Sequence, residues 1–304
     1  MLNLKDPIYS DETAARTHLE EIRWADGAYC PHCGDLENVK ALGGKAAEKG
    51  LWHCGSCRKK FTVTVGTVFE RSHIPLTKWL AAFHLMCSSK KGISAHQVHR
   101  TLNITYKSAW FMCHRIREAM KRGGMDLPPM GGKGKHVEAD ETYIGQKAGE
   151  TNPGVGFHHK RTVVSLVERG GEVRSFHIDK ATVKNLKPIL TENLDLASTL
   201  NTDEAFVYRN LGRNFDGHQF VSHKAKEYVR GTAHTNTLEG YFSIFKKGMK
   251  GVYQHCSETH LHRYLAEFDF RYSNRAALGT DDKARTRKAL TGITGKRLTY
   301  QQTH

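Results

Sequence analysis

HVEADETYIGQ (136–146) sets apolar and β-branched residues among acids and reads as a short strand that ends in carboxylates. The residues after it fix its setting. RTVVSLVERGGEVRSFHI (161–178) is two β-rich runs split by Gly170 and Gly171, the signal of an antiparallel hairpin. ATVKNLKPILTENL (181–194) changes to helical spacing through Leu186, Ile189, Leu190 and Leu194, and DLASTLNTDEAFVY (195–208) returns to a strand ending at Asp203. A helix from about Asn236 to Lys247 and an amphipathic one in THLHRYLAEFDFRYSNR (259–275) complete the segment. The spacing predicts one mixed α/β (α+β) domain over 136–280, followed by a basic tail at 281–304.

Upstream, RGGMDLPPMGGKGKH (122–136) is too rich in Gly and Pro to continue a helix, which places a linker at 123–135. Before it, PLTKWLAAFHLMCSSKKG (75–92) has one helical stripe. GISAHQVHRTLNITYKSAWFMCHRIREAMKRGG (92–124) has two more, with Ser94 and Thr105 as caps around a turn near Asn103. Residues 71–122 therefore read as a helix-turn-helix-like segment. Residues 1–70 hold a short amphipathic helix, DETAARTHLEEIRW (11–24), then two cysteine pairs with strand formers around them, including FTVTVGTVF (61–69).

CPHC (30–33) and CGSC (54–57) are two C-x-x-C knuckles, and two such turns bring Cys30, Cys33, Cys54 and Cys57 to the corners of a tetrahedron around one structural Zn²⁺. Cys87, Cys113 and Cys256 are left as buried thiols. The chain has 46 Lys plus Arg against 31 Asp plus Glu, a formal net charge of +15, which favours a polyanionic partner. Lys90, Lys91, Arg100, Lys107 and Arg115, with His96, His99, His114 and Arg117, occupy polar positions of the helical segment and suit phosphate contacts. No apolar run is long enough for a membrane span and the amino end lacks a signal-peptide pattern, so a cytoplasmic protein without a membrane partner is expected.

Three acids stand at element ends: Asp140, Asp203 and Glu239 in HTNTLEGYFSIFKKG. Such a set suits phosphodiester chemistry, in which two divalent cations activate the attacking oxygen and stabilise the leaving one, and hard oxygen ligands favour Mg²⁺ or Mn²⁺. Lys246 follows Glu239 by two helical turns, on the same face, where it and Lys247 are placed to hold a phosphate. Glu138 and Glu141 compete with Asp140; alternation puts Glu138 on its face and Glu141 on the other.

Together CPHC with CGSC, VEADETYIG, RTVVSLVERGG, TLNTDEAFVY, HTNTLEGYFSIFKKG and LHRYLAEFDFRYSNR make the chain similar to insertion-sequence transposases of the DDE class, the bacterial branch with an amino-terminal zinc ribbon and an ISXO-type core. The resemblance runs through nearly the whole chain. It implies an RNase H-like catalytic core with a mixed five-stranded sheet that presents Asp140 from its first strand, Asp203 from its fourth and Glu239 from a later helix. It also implies two Mg²⁺ ions held by these acids, terminal inverted repeats and target DNA as substrates, and a dimer or larger assembly on DNA, in a nucleoid-associated protein. Asn236, one turn before Glu239, is the alternative third ligand, since some members of the branch carry Asn there. Two other readings fit part of the pattern. An RNase H-like nuclease or resolvase uses the same acids but only cuts, and a zinc-ribbon DNA-binding regulator leaves the acids without a role.

Overall fold

The computed structural model describes residues 5–122, 127–147, 149, 157, 159–222, 227 and 229–299. The chain divides into two compact units, Met1–Lys121 with Thr280–His304, and Arg122–Gly279. The first residues of the expected linker, 123–126, lie outside the described residues.

In the first unit Asp11 accepts from the Ala14 amide at 2.7 Å and starts α1 (Glu12–Arg23), whose stripe Ala15, Leu19 and Ile22 is buried. β1 (Val39–Ala41), the short α2 (Lys45–Glu48), β2 (Trp52–Cys54) and β3 (Lys60–Phe61) follow, the strands forming an antiparallel sheet in chain order. The strand expected through FTVTVGTVF stops at Phe61. From Thr62 the chain turns, with the Val65 amide on the Thr62 carbonyl and Gly66 at φ 73°, so its apolar residues Val63, Val68 and Phe69 are buried by reversal of the backbone instead of by pairing.

Three helices come next: α3 (Leu76–Ser88), α4 (Ala95–Leu102) and α5 (Tyr106–Met120). Ser94 and Thr105 cap the last two, each accepting an amide at 3.2 Å, and Asn103 takes the left-handed conformation between them. A short polar residue is the side chain that tolerates this conformation at least cost.

In the second unit, β4 (His136–Ile144), β5 (Arg161–Glu168) and β6 (Val173–Ile178) form an antiparallel meander. The β5–β6 turn is the Gly170–Gly171 hairpin, with Gly170 at φ 70°. α6 (Val183–Asn193) crosses to β7 (Thr199–Thr202), and α7 (Phe206–Gly212) to β8 (Gly217–Phe220), both strands running parallel to β4. The sheet order is β6-β5-β4-β7-β8, the five-stranded mixed arrangement expected of an RNase H-like core. Its two faces are closed separately. Val137, Ala139, Val164, Leu166 and Leu200 pack with Leu186, Leu190, Tyr208 and Leu211 from α6 and α7. Ile144, Val163, Val167 and Val173 pack with Leu238, Tyr241, Phe242 and Phe245 of α8 (Asn236–Gly248) and Leu265 and Phe268 of α9 (Leu261–Ser273).

The expected basic tail is not a loose extension. Asp281 caps α10 (Asp282–Thr291), which packs on α3, α1 and α5 with Ala289 and Leu290 buried, and Arg285 donates to the Cys87 carbonyl at 2.9 Å. The chain then bridges Thr294 to Thr67. The apolar positions Ala289, Leu290 and Ile293 among the basic residues carry this docking. Cys87 and Cys113 are buried as expected, whereas Cys256 is only half-buried.

Candidate functional site

β4 is longer than the strand beside it. Its parallel ladder with β7 pairs His136 with Thr199, Val137 with Leu200 and Glu138 with Asn201, and ends there. Continued by two residues, this register points from Asp140 towards Asp203, which lies just past the end of β7. On the other flank Asp140 pairs with Ser165. Even-numbered residues of β4 face α8, and the N-terminal turn of α8 carries Glu239.

The three acids do not all bring their ligand atoms within 4.8 Å of one another, but the charges of Asp203 and Glu239 act on Asp140. Burial pushes the Asp140 carboxyl well above its ordinary value, and the negative charges of Glu141, Asp203 and Glu239 push it further. Burial likewise raises Glu141, which lies on the opposite face and accepts from the Tyr208 hydroxyl at 2.8 Å. Glu239 is exposed and receives the Thr235 hydroxyl at 3.3 Å; Asn236 is exposed one turn before it. The groups that act on Asp140 are carboxylates, and such a set fits a hard divalent cation, which would remove the repulsion.

Glu138 is two residues from Asp140 and on the same face, but it is engaged elsewhere. It is fully buried; Oε1 accepts from Arg169 Nε at 2.7 Å and Oε2 from the Leu238 amide at 2.9 Å. Arg169 in turn donates to the Thr232 and His234 carbonyls, both at 2.8 Å, and His234 Nδ1 lies 3.2 Å from Glu138. Thr235 gives α8 no side-chain cap, so Glu138 supplies the acceptor for its first turn. This buried clamp links the strand of Asp140 to the helix of Glu239, and sequence reading did not find it.

The other centre is formed by the cysteines. Among the described residues, Cys30, Cys33, Cys54 and Cys57 are the one set of His, Cys, Asp or Glu side chains whose ligand atoms all lie within 4.8 Å of one another. Cys30 Sγ is 3.6 Å from Cys57 Sγ, as is Cys33 Sγ from Cys54 Sγ. A tetrahedral zinc with Zn–S bonds of about 2.3 Å has edges of about 3.8 Å, so the four sulfurs fit Zn²⁺. Gly34 and Arg58, the residues that leave each knuckle, both take positive φ, 80° and 58°. Against the opposing effect of burial, the His32 and Cys33 amides bring the Cys30 thiol down to about 7; despite the Asp35 amide, burial and the neighbouring thiols send Cys33 up to about 12. A dication relieves this crowding of charge.

Lys90, Lys91, Arg100 and Lys107 are exposed on the first unit, and on α8 Lys247 is exposed and Lys246 half-buried. Arg115 is not a surface cation. It is 7% exposed, and its guanidinium donates to the carbonyls of Val68 at 2.9 Å, Glu70 at 3.0 Å and Leu298 at 3.2 Å. His114 and Arg117 are buried too. The loop at 66–70 and the returning tail enclose this part of α5, which no local pattern in the helix reveals. His218 bonds Thr202 Oγ1 at 3.0 Å, and His223 lies outside the described residues.

Residues 131–273 match the ISXO2-like transposase domain, and residues 10–60 match the transposase zinc-ribbon domain. A protein of the archaeon Halobacterium salinarum, described as an uncharacterized protein in transposable element ISH50, is 27% identical over 280 residues, 86% of this chain and 91% of the relative. A chain in the structure of the simian T-cell lymphotropic virus intasome with PP2A regulatory subunit B56 gamma aligns at 14% identity and a TM-score of 0.30, over 57% of this chain and 67% of that one. No helix among the described residues is long and apolar enough to cross a membrane. Residues 131–273 thus belong to the ISXO2-like transposase domain family, of the DDE class, and residues 10–60 to the transposase zinc-ribbon family.

Proposed function

We propose that this chain is a metal-dependent DNA transposase that cuts at the terminal inverted repeats of an insertion sequence and joins the freed ends to target DNA. The observation that carries the reading is that the charges of Asp203 and Glu239 both act on buried Asp140 and, with burial, raise its carboxyl above its ordinary value, while the β4–β7 register runs towards Asp140 and Asp203. Asp140, Asp203 and Glu239 would hold two Mg²⁺ or Mn²⁺ ions, which when bound polarise the attacking oxygen and stabilise the leaving one. The ionised form of Asp140, which burial and the neighbouring carboxylates disfavour, would be favoured by a bound dication. The Glu138–Arg169 clamp keeps the first turn of α8, and with it Glu239, against β4.

The remaining assignments follow from the same reading. Glu239 is preferred to Asn236 as third ligand, because its charge reaches Asp140 and its carboxylate is the harder donor. Lys246 and Lys247 lie along the same helix and take phosphates of the terminal nucleotides. The zinc ribbon, with Lys90, Lys91, Arg100 and Lys107 of the helical segment, grips the element ends, and bringing two ends together requires a dimer or larger assembly on DNA.

The test is joining of a labelled DNA carrying the element's flanking terminal repeat into plasmid, with Mg²⁺ or with EDTA. Joining that needs metal, is abolished in Asp203→Ala and Glu239→Ala and only reduced in Asn236→Ala, is expected. Loss in Asn236→Ala alone moves the third ligand. Cut but never joined products favour the nuclease, and binding without cleavage favours the regulator.

A further inference from the structure

The open edge of the large sheet carries an arrangement that the acids do not use. Phe220 is the last residue of β8, the edge strand, and its side chain is 37% exposed. Arg209, from α7, and Arg230, from the loop after β8, each set a guanidinium carbon over its ring, 5.9 and 5.6 Å from the centroid. Arg230 Nη2 also donates to the Phe220 carbonyl at 2.9 Å, and its Nη1 lies 3.8 Å from a Glu227 carboxylate oxygen. Both arginines are exposed, and Phe206, 73% exposed, begins the helix that bears Arg209.

The register fixes where this group lies. Phe220 pairs with Thr202, the last residue of β7, and Asp203 follows it directly. The ring and both guanidiniums therefore sit at the carboxyl-terminal end of the two parallel strands, the end that presents Asp203. We propose that Arg209, Phe220 and Arg230 form a clamp for the DNA backbone next to the scissile phosphate, a proposal that rests on the acids acting on a phosphodiester of DNA.

Three physical points select a nucleic-acid phosphate as the occupant. A planar guanidinium offers two parallel N–H donors that match a phosphate, with a geometry that lysine lacks. The ring attracts both cations and holds two long side chains that would otherwise lose much rotamer freedom on binding. A strand whose phosphodiester enters the acid cluster brings further phosphates to the ends of β7 and β8, where the two arginines meet them. The patch was invisible in the sequence, because Arg209, Phe220 and Arg230 belong to three separate elements and to no motif.

The experiment measures binding of a fluorescent duplex with a 3′ single-stranded flank to the zinc-loaded full chain, in an Asp203→Ala background so that no cleavage intervenes, over a salt series. Arg209→Gln and Arg230→Gln should each lower the slope of log affinity against log salt by about 0.7 to 0.9, the value for one lost phosphate contact. Phe220→Leu should weaken binding with the slope unchanged, since the charges stay and only their positioning is lost. Unchanged slopes in both folded arginine variants overturn the proposal. So does sedimentation showing that Phe220→Ala converts an oligomer to monomer while the slope holds, because the patch then joins copies of the chain. Protein with intact Asp203 that neither cuts nor joins DNA in Mg²⁺, while the arginine variants still lower the slope, rejects the transposase reading and with it the placement beside a scissile phosphate, leaving the three residues as a DNA-backbone contact.

Discussion

Glu138→Ala removes the carboxylate that Arg169 pairs with, and the structure sets the size of the loss. Glu138 is fully buried, whereas the Arg169 side chain is 20% exposed. Breaking a buried ion pair from one side costs about 3–5 kcal/mol. Arg169 keeps two carbonyl acceptors and some contact with water, so the lower end, about 3 kcal/mol, applies to the pair. The Leu238 amide loses its acceptor as well, for about 1 kcal/mol more. The expected destabilisation is therefore about 4 kcal/mol. The assay must report on the right unit. All four tryptophans, Trp24, Trp52, Trp79 and Trp110, lie in the first unit, so tryptophan fluorescence follows that unit and not the affected one. Urea unfolding followed by far-ultraviolet circular dichroism should show a transition moved to lower urea, while the fluorescence transition stays in place. Glu138→Leu with Arg169→Met should lose less than the sum of the two single changes, because no charge is then stranded. A shift below about 1 kcal/mol in Glu138→Ala, or strict additivity in the double variant, refutes the clamp.

Zinc removal should unfold the ribbon, since the three short strands around the cysteines build little core of their own. Because binding displaces thiol protons, zinc affinity should fall as pH drops; folded protein at neutral pH that atomic absorption shows to hold no zinc refutes the site. Asp269 accepts from the Ser175 amide and hydroxyl at 2.8 and 2.6 Å and from the Tyr241 hydroxyl at 2.6 Å, yet burial outweighs these bonds and raises its carboxyl to about 6. The folded chain thus keeps a proton that the unfolded chain releases, so this contribution is full below about pH 4 and is lost as pH rises to about 6, roughly 3 kcal/mol for some two pH units. Asp269→Asn should flatten thermal stability over that window, and an unaltered profile refutes the shift. Arg115→Gln should lower the fluorescence-detected stability of the first unit and leave the salt dependence of DNA binding untouched; a reduced salt slope would return Arg115 to the DNA surface.

What the sequence made legible is what short-range chemistry decides. Ser94 and Thr105 cap because their hydroxyls reach amides three residues on, Gly170 reverses the chain because it tolerates positive φ, and each C-x-x-C brings two sulfurs together within one turn. What it hid depends on residues far along the chain. Arg115 looks like a polar position of an amphipathic helix until Val68, Glu70 and Leu298 close over it. The apolar residues of 62–69 serve burial without a partner strand, and the tail's helix is fixed by α3, two hundred residues earlier in the chain.

The acids show both kinds of information at once. Alternation along β4 puts Glu138 and Asp140 on one face and Glu141 on the other, but alternation gives no reason to choose between Glu138 and Asp140. Their neighbours do. Glu138 already has a guanidinium at 2.7 Å and a helix amide at 2.9 Å, so its charge is compensated and its oxygens are occupied. Asp140 has three other carboxylates acting on it and one amide, from Glu141 at 2.7 Å, so its ionised form is costly until a cation arrives. Of two carboxylates on one face of one strand, the one that the fold leaves in need of positive charge is the candidate ligand, and the one it has neutralised holds the helix on which the next ligand stands.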